Sequence, residues 1–107
     1  MKIIYNNLIP IKGFRAINIL GFIFARKEFR KLSSEIIEHE KIHTEQMKEL
    51  LFVIFYLWYI VEWLIKFCVY GRRAYYNISF EREAYQNADV KNYLRKRKRY
   101  AFWKCLL

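Results

Sequence analysis

The sequence predicts an α+β domain: a small antiparallel sheet from the first thirty residues, packed on two or three helices. Three observations carry this. β-Branched and aromatic residues cluster before residue 30, apolar residues take helical spacing from Ser33 onward, and the chain is poor in turn formers. Three Gly and one Pro exclude a turn-rich β-sandwich and any Gly-rich phosphate loop. With 107 residues and 13.3 kDa the chain is one minimal domain, residues 1–107. A hydrophobic content of 55%, with 20% aromatic residues, excludes disorder as a description of the whole.

In chain order, Ile3, Ile4 and Tyr5 form a short apolar run that Asn6-Asn7 and Pro10 stop. Gly13 marks a turn, and Arg15 to Arg26 reads as strand. A buried helix is the alternative there, but Gly21 and three Ile favour strand. Ser33-Ser34 before Glu35 starts a helix, with Ser34 as the expected N-cap and Glu35 and Glu38 suited to its first turn. Ile36, His39, His43, Met47 and Leu50 then share one stripe, opposite Glu38, Lys41, Glu45, Lys48 and Glu49.

Residues 50–70, LLFVIFYLWYIVEWLIKFCVY, are long enough to cross a bilayer as a helix. Glu62 and Lys66 interrupt the segment at i,i+4, where they can pair. Only Leu50 to Val61 is uninterrupted, which suits a soluble core helix or a membrane-surface helix better than a span. Tyr56, Trp58, Tyr59, Trp63 and Tyr70 are rings of the kind that collect at membrane interfaces. Gly71-Arg72-Arg73 ends the segment, and Ser79 is a candidate cap for a further helix from Phe80 to about Leu94. Residues 95–107 form a basic and aromatic tail that opens with Arg95-Lys96-Arg97-Lys98-Arg99.

Two cysteines, Cys68 and Cys105, make neither a disulfide framework nor a zinc ribbon and fit a reducing compartment. No signal-peptide pattern follows Met1, so a cytoplasmic location is expected, with membrane association through residues 50–70 as its variant. The net charge of +10 fits an anionic membrane surface at least as well as nucleic acid. No helix-turn-helix, RRM or KH signature accompanies it, which makes nucleic acid the weaker partner.

The pattern that carries chemistry is His39-Glu40-Lys41-Ile42-His43, H-E-x-x-H on a predicted helix. Residues four apart lie one turn above each other, so both imidazoles can bind one Zn²⁺. Glu40, beside that stripe, can act as a general base. Hydrogen-bonded helix histidines with a surface Glu between them are the plain alternative. With only two His in the chain, a third ligand must be a carboxylate or thiolate. Glu81 and Glu83 are the candidates, and about 200° separates them around a helix, so both cannot face one ion. Glu81 is favoured because it shares a face with Ala84 and Ala88, small residues that permit close approach, whereas Glu83 looks wetter beside Asn87 and Lys91.

His39 to Gln46 (HEKIHTEQ) and Ile78 to Tyr85 (ISFEREAY) together resemble the gluzincin class of zinc metallopeptidases, particularly minimal single-domain members. The chain also resembles small proteins of Bacteroides-type bacteria that carry HExxHxxQ and FEREAY. The resemblance implies a zinc-dependent endopeptidase acting on a peptide or protein substrate. His39, His43 and Glu81 would be ligands and Glu40 the catalytic base. The strand Ile17 to Phe24 would line the cleft and pair with an extended peptide, through Ile19, Leu20, Gly21 and Phe22. Many gluzincins have Asp four residues after the ligand Glu, bracing a ligand histidine; Tyr85 stands there. Tyr75 and Tyr76 are candidates to bind the oxyanion, as are Arg72 and Arg73. A catalytically idle, zinc-stabilised protein on a membrane or nucleic acid is the rival reading.

Overall fold

The computed structural model describes residues 3–10 and 12–106. Met1, Lys2 and Ile11, within the expected sheet region, and Leu107, at the end of the tail, lie outside the described residues. The chain forms β1 (Ile3–Asn6), β2 (Ala16–Ile19), β3 (Phe22–Arg26), α1 (Ser34–Glu49), α2 (Val53–Tyr70), α3 (Ala74–Asn77), α4 (Ser79–Asn87) and α5 (Tyr93–Lys96). Single 3₁₀ turns at Lys27–Phe29, Gly71–Arg73 and Ala101–Cys105 complete it. An α+β domain is what the composition predicts.

The sheet is mixed rather than antiparallel. Its order is β1-β3-β2, with β1 parallel to β3 and β2 antiparallel to it. The expected strand across Arg15–Arg26 is a hairpin. Leu20 and Gly21 both take positive φ (53° and 91°), the backbone of a two-residue type I′ loop. An apolar Leu at such a position hides the turn from a reading of residue types. Ile23 and Ala25 turn inward with Leu32 to form a small core beneath the sheet.

α1 starts at its expected cap, Ser34, one residue earlier than predicted. Ser33, not Ser34, is the N-cap, and its hydroxyl accepts the Ile36 N–H. α1 stops at Glu49, and Leu51 and Phe52 reverse the backbone with φ of 53° and 58° before α2 begins. The main core joins Met47, Leu50, Phe55, Ile78, Phe80 and Phe102, so α1, α2, α4 and the last 3₁₀ turn meet around Phe80.

α2 buries Phe55, Glu62 and Lys66 and turns most of its aliphatic residues outward. Glu62 caps α4: both the N–H and the hydroxyl of Ser79 donate to its carboxylate. Ser79 is therefore the first residue of α4 rather than its cap. That helix ends at Asn87, short of the expected Leu94, and residues 93–96 form a separate turn. Lys66 is held by Glu62 at 3.4 Å and by the carbonyls of Asn77 (2.6 Å) and Leu106 (2.8 Å). These bonds tie α2 to the start of α4 and to the C-terminal segment.

Candidate metal centre

α1 presents His39 and His43 one turn apart on its inner face, and both are buried. α4 brings Glu81 in its first turn, where the positive end of the helix dipole favours a carboxylate. Ala84 on α4 and Ala88 at its C-cap are buried, and α4 packs against α1. Three atoms converge: His43 Nε2 lies 3.0 Å from Glu81 Oε1 and 3.1 Å from His39 Nε2, and His39 Nε2 lies 3.2 Å from Glu81 Oε1. A tetrahedral ion with bonds of about 2.0–2.1 Å would space its ligands about 3.3 Å apart, so the triangle fits a small divalent cation with little adjustment. This buried His-His-Glu group could hold a metal ion. Glu83 is excluded from it and is 1% exposed rather than wet.

Glu83 is instead part of the site's support. Its carboxylate accepts from Gln46 Nε2 (3.0 Å), Tyr93 OH (2.6 Å) and Arg97 Nε (2.5 Å). Arg97 also forks onto Glu49, at 3.0 and 2.9 Å. Gln46 Nε2 donates a second time, to the Phe80 carbonyl at 3.0 Å. The amide nitrogen of Gln46 is thereby committed, and its oxygen faces His43 Nδ1 at 2.8 Å. Nδ1 must then carry the hydrogen, which leaves the Nε2 lone pair of a neutral His43 aimed at Glu81 and His39. On the other side, Tyr59 OH donates to Glu81 Oε2 at 2.8 Å and holds the second carboxylate oxygen.

Tyr85 stands where a bracing Asp was expected and braces differently. Its ring packs edge-on against His39, with centroids 4.4 Å apart, while its hydroxyl meets Tyr75 OH at 3.2 Å. Tyr75, Tyr76 and Tyr85 form one aromatic wall. Burial raises the pKa of the Tyr75 and Tyr85 phenols, and the Glu81 charge adds to the rise, so both stay protonated at neutral pH.

Burial works against the charged form of Glu81, but the His43 and His39 rings outweigh it and hold the carboxyl well below the usual carboxylate range. Burial also opposes a charged His43, yet Glu81, Glu40 and Gln46 raise its pKa to about 9. Glu40 is half-buried; desolvation raises its pKa, Glu81 adds to this, and the two histidines pull it back. Its carboxylate makes no hydrogen bond among the described residues and faces a pocket of about 840 Å³. That pocket contains His43, Glu81, Tyr59, Tyr75, Tyr76 and Tyr85 in its walls.

The far wall of the pocket includes Ala16, Ile17 and Asn18 of β2. The expected substrate-contacting positions Ile19, Leu20, Gly21 and Phe22 lie at and around the hairpin loop, outside the pocket lining, because the chain turns at Leu20-Gly21. β2 is an edge strand. The Arg15–Arg26 hydrogen bond sets the ladder, so Ile17 and Ile19 bond inward to β3 while the backbone groups of Ala16 and Asn18 face the free edge. The Asn18 side chain clamps this edge to α1, donating at 2.8 Å to the Glu40 carbonyl and at 2.8 Å to Thr44 Oγ1. Arg72 and Arg73 are exposed in the turn after α2 and are not among the residues lining the pocket.

Sequence reasoning missed Asn18, Gln46, Tyr59 and Arg97. Gln46 had the only local signal, three residues after His43 on the histidine face. No protein-family model, curated protein or solved structure matches this chain.

Proposed function

We propose that this chain is a zinc-dependent peptide hydrolase, a minimal relative of the gluzincins its motifs resemble. The observation that carries the proposal is the buried triangle of His39 Nε2, His43 Nε2 and Glu81 Oε1, with edges of 3.0–3.2 Å, beside Glu40 at the wall of a peptide-sized pocket. Two imidazoles and one carboxylate make a donor set typical of catalytic zinc, which keeps a further coordination position open. Bound there, the ion would supply Lewis acidity toward a carbonyl and lower the pKa of water.

The chain's own groups have separable roles. Ala16 and Asn18 on the β2 edge offer backbone donors and acceptors to an extended peptide, adding it to the sheet as a fourth strand. Glu40, with its raised pKa, takes the proton of the attacking water and delivers it to the departing amine. The C–O bond forms first, a protonated phenol from the Tyr75, Tyr76 and Tyr85 wall donates to the developing oxyanion, and the C–N bond then breaks as the amine takes the proton from Glu40. Gln46 keeps His43 in the tautomer that binds metal, and Tyr59 holds Glu81 in place.

Metal analysis together with a peptidase assay on unstructured protein substrates tests the proposal. Wild type should carry about one zinc per chain and cleave; Glu40→Gln should keep the zinc and lose cleavage. A His39→Ala/His43→Ala double variant that retains stoichiometric zinc ends the proposal. A wild type that binds zinc but cleaves no better than Glu40→Gln is the idle metalloprotein.

A further inference from the structure

α2 is built inside out. Val53, Leu57, Ile60, Val61, Leu64 and Ile65 are each 54–68% exposed and fall at i, i+4, i+7, i+8, i+11 and i+12, an apolar stripe along the outer face. Its two charged residues, Glu62 and Lys66, are buried on the inner face. The most apolar 18-residue window of the helical stretch from Val53 to Asn87 has a mean hydropathy of 1.6 and is only 17% buried. The apolar surface continues past α2. The β2–β3 loop abuts its first turn, with Leu20 N–H donating to Tyr56 OH at 3.0 Å, and Leu20 and Phe22 there are 54% and 50% exposed. A contiguous apolar face of this extent on a soluble chain marks a contact surface.

Charge identifies the occupant. Four of the ten carboxylates, Glu49, Glu62, Glu81 and Glu83, are drawn inside and paired, so the outer surface is more basic than the net +10 implies. Exposed Arg72 and Arg73 follow α2 directly. Trp103, 60% exposed, packs on Trp58 of α2 with centroids 5.9 Å apart, which sets exposed Lys104 beside the same helix. Apolar residues rimmed by Trp, Tyr, Lys and Arg match the boundary between acyl chains and anionic headgroups. A second copy of the chain would bring two strongly basic surfaces together, so charge disfavours it.

The packing against α2 decides how deep the helix goes. The C-terminal turn runs along its middle, from the Trp58–Trp103 contact to the bond between Lys66 Nζ and the Leu106 carbonyl. A membrane-spanning α2 would carry Lys104, Glu62 and Lys66 to hydrocarbon depth, at high cost. We propose that α2 lies in the plane of an anionic membrane surface, its outer stripe and the Leu20–Phe22 hairpin tip sunk among the acyl chains. The site on the inner side of α2 remains in water. This attachment is independent of the hydrolase proposal.

The test uses the full chain with phosphatidylcholine vesicles, with and without phosphatidylglycerol. Flotation should show binding to the anionic vesicles roughly tenfold or more tighter than to neutral ones, since each basic group near the surface contributes about fivefold, and added salt should weaken it. Leu57→Glu/Leu64→Glu should abolish binding with unchanged circular dichroism and zinc content, since both positions are exposed. Cys68 is exposed on α2 and Cys105 half-buried, so a nitroxide at Cys68 in a Cys105→Ser background reads depth. It should sit about 5–10 Å below the headgroups. Three results overturn the proposal: equal binding to both vesicle types, or none; a Cys68 label at the bilayer centre, which means a span; and a stable dimer in buffer that Leu57→Glu/Leu64→Glu splits, which means a second copy.

Discussion

The α1–α4 interface and α2 solve opposite problems with the same residue types. Between α1 and α4, His39, His43, Glu81 and Glu83 each have an assigned partner, and the chain Arg97–Glu83–Gln46–His43 ends on the ring nitrogen that faces Glu81. In α2, the charged pair Glu62–Lys66 also points inward, beside the core residue Phe55, but the outer face of the helix is left exposed. The contrast teaches that burial of charge here is not a by-product of a hydrophobic core. Polar groups occupy the interior where they organise a site or join elements, and apolar residues are left outside where the surroundings can take them. The domain is small enough that one helix must serve both purposes.

Substitutions on the two regions should separate these roles. Glu40→Gln should reduce turnover by about 10²–10⁴-fold while zinc content stays at wild-type level, as expected for loss of a general base. Glu62→Leu should destabilise the fold by about 3–5 kcal/mol in urea denaturation, because it removes the only carboxylate paired with the buried Lys66 ammonium among the described residues and uncaps α4. Gln46→Leu should weaken zinc binding by about 10–100-fold in a chelator competition, since His43 loses the acceptor that sets its tautomer.

A smaller effect follows from pH. With a pKa near 9, His43 is protonated at neutral pH, and a metal must displace that proton. Apparent zinc affinity should therefore rise about tenfold per pH unit between pH 6 and 8 and level off above about 9. An affinity flat across that range would mean that His43 is not a ligand. At the other extreme, Leu57→Glu should change stability by no more than about 0.5 kcal/mol, since the side chain is 60% exposed. A large loss would show that the outer face of α2 is covered in solution.

The parts of this site that local geometry fixes were legible in the sequence. Helical periodicity places His39 and His43 together, and the two-residue offset separates Glu81 from Glu83. Small Ala84, with Ala88 just past the helix end, then marks the face of α4 that meets α1. Most of the supporting shell was not legible: Gln46 has its spacing from His43 as a signal, but Tyr59 and Arg97 act through contacts 22 and 14 residues distant, and nothing in their own neighbourhoods distinguishes them. Arg97 looked like one of five solvated basic residues, yet its side chain is 5% exposed. The hairpin was hidden for a different reason: Leu20 occupies a left-handed position that residue type argues against. Likewise Glu62 and Lys66 read as breaks in an apolar run, whereas they define its inner face.

Zinc K-edge absorption spectroscopy on the purified full chain tests the central claim most directly. One ion per chain, with a first shell of two imidazole nitrogens plus oxygen at about 2.0–2.1 Å, is the predicted result. A sulfur shell at about 2.3 Å, pointing to Cys68 or Cys105, or the absence of stoichiometric zinc, would contradict the account.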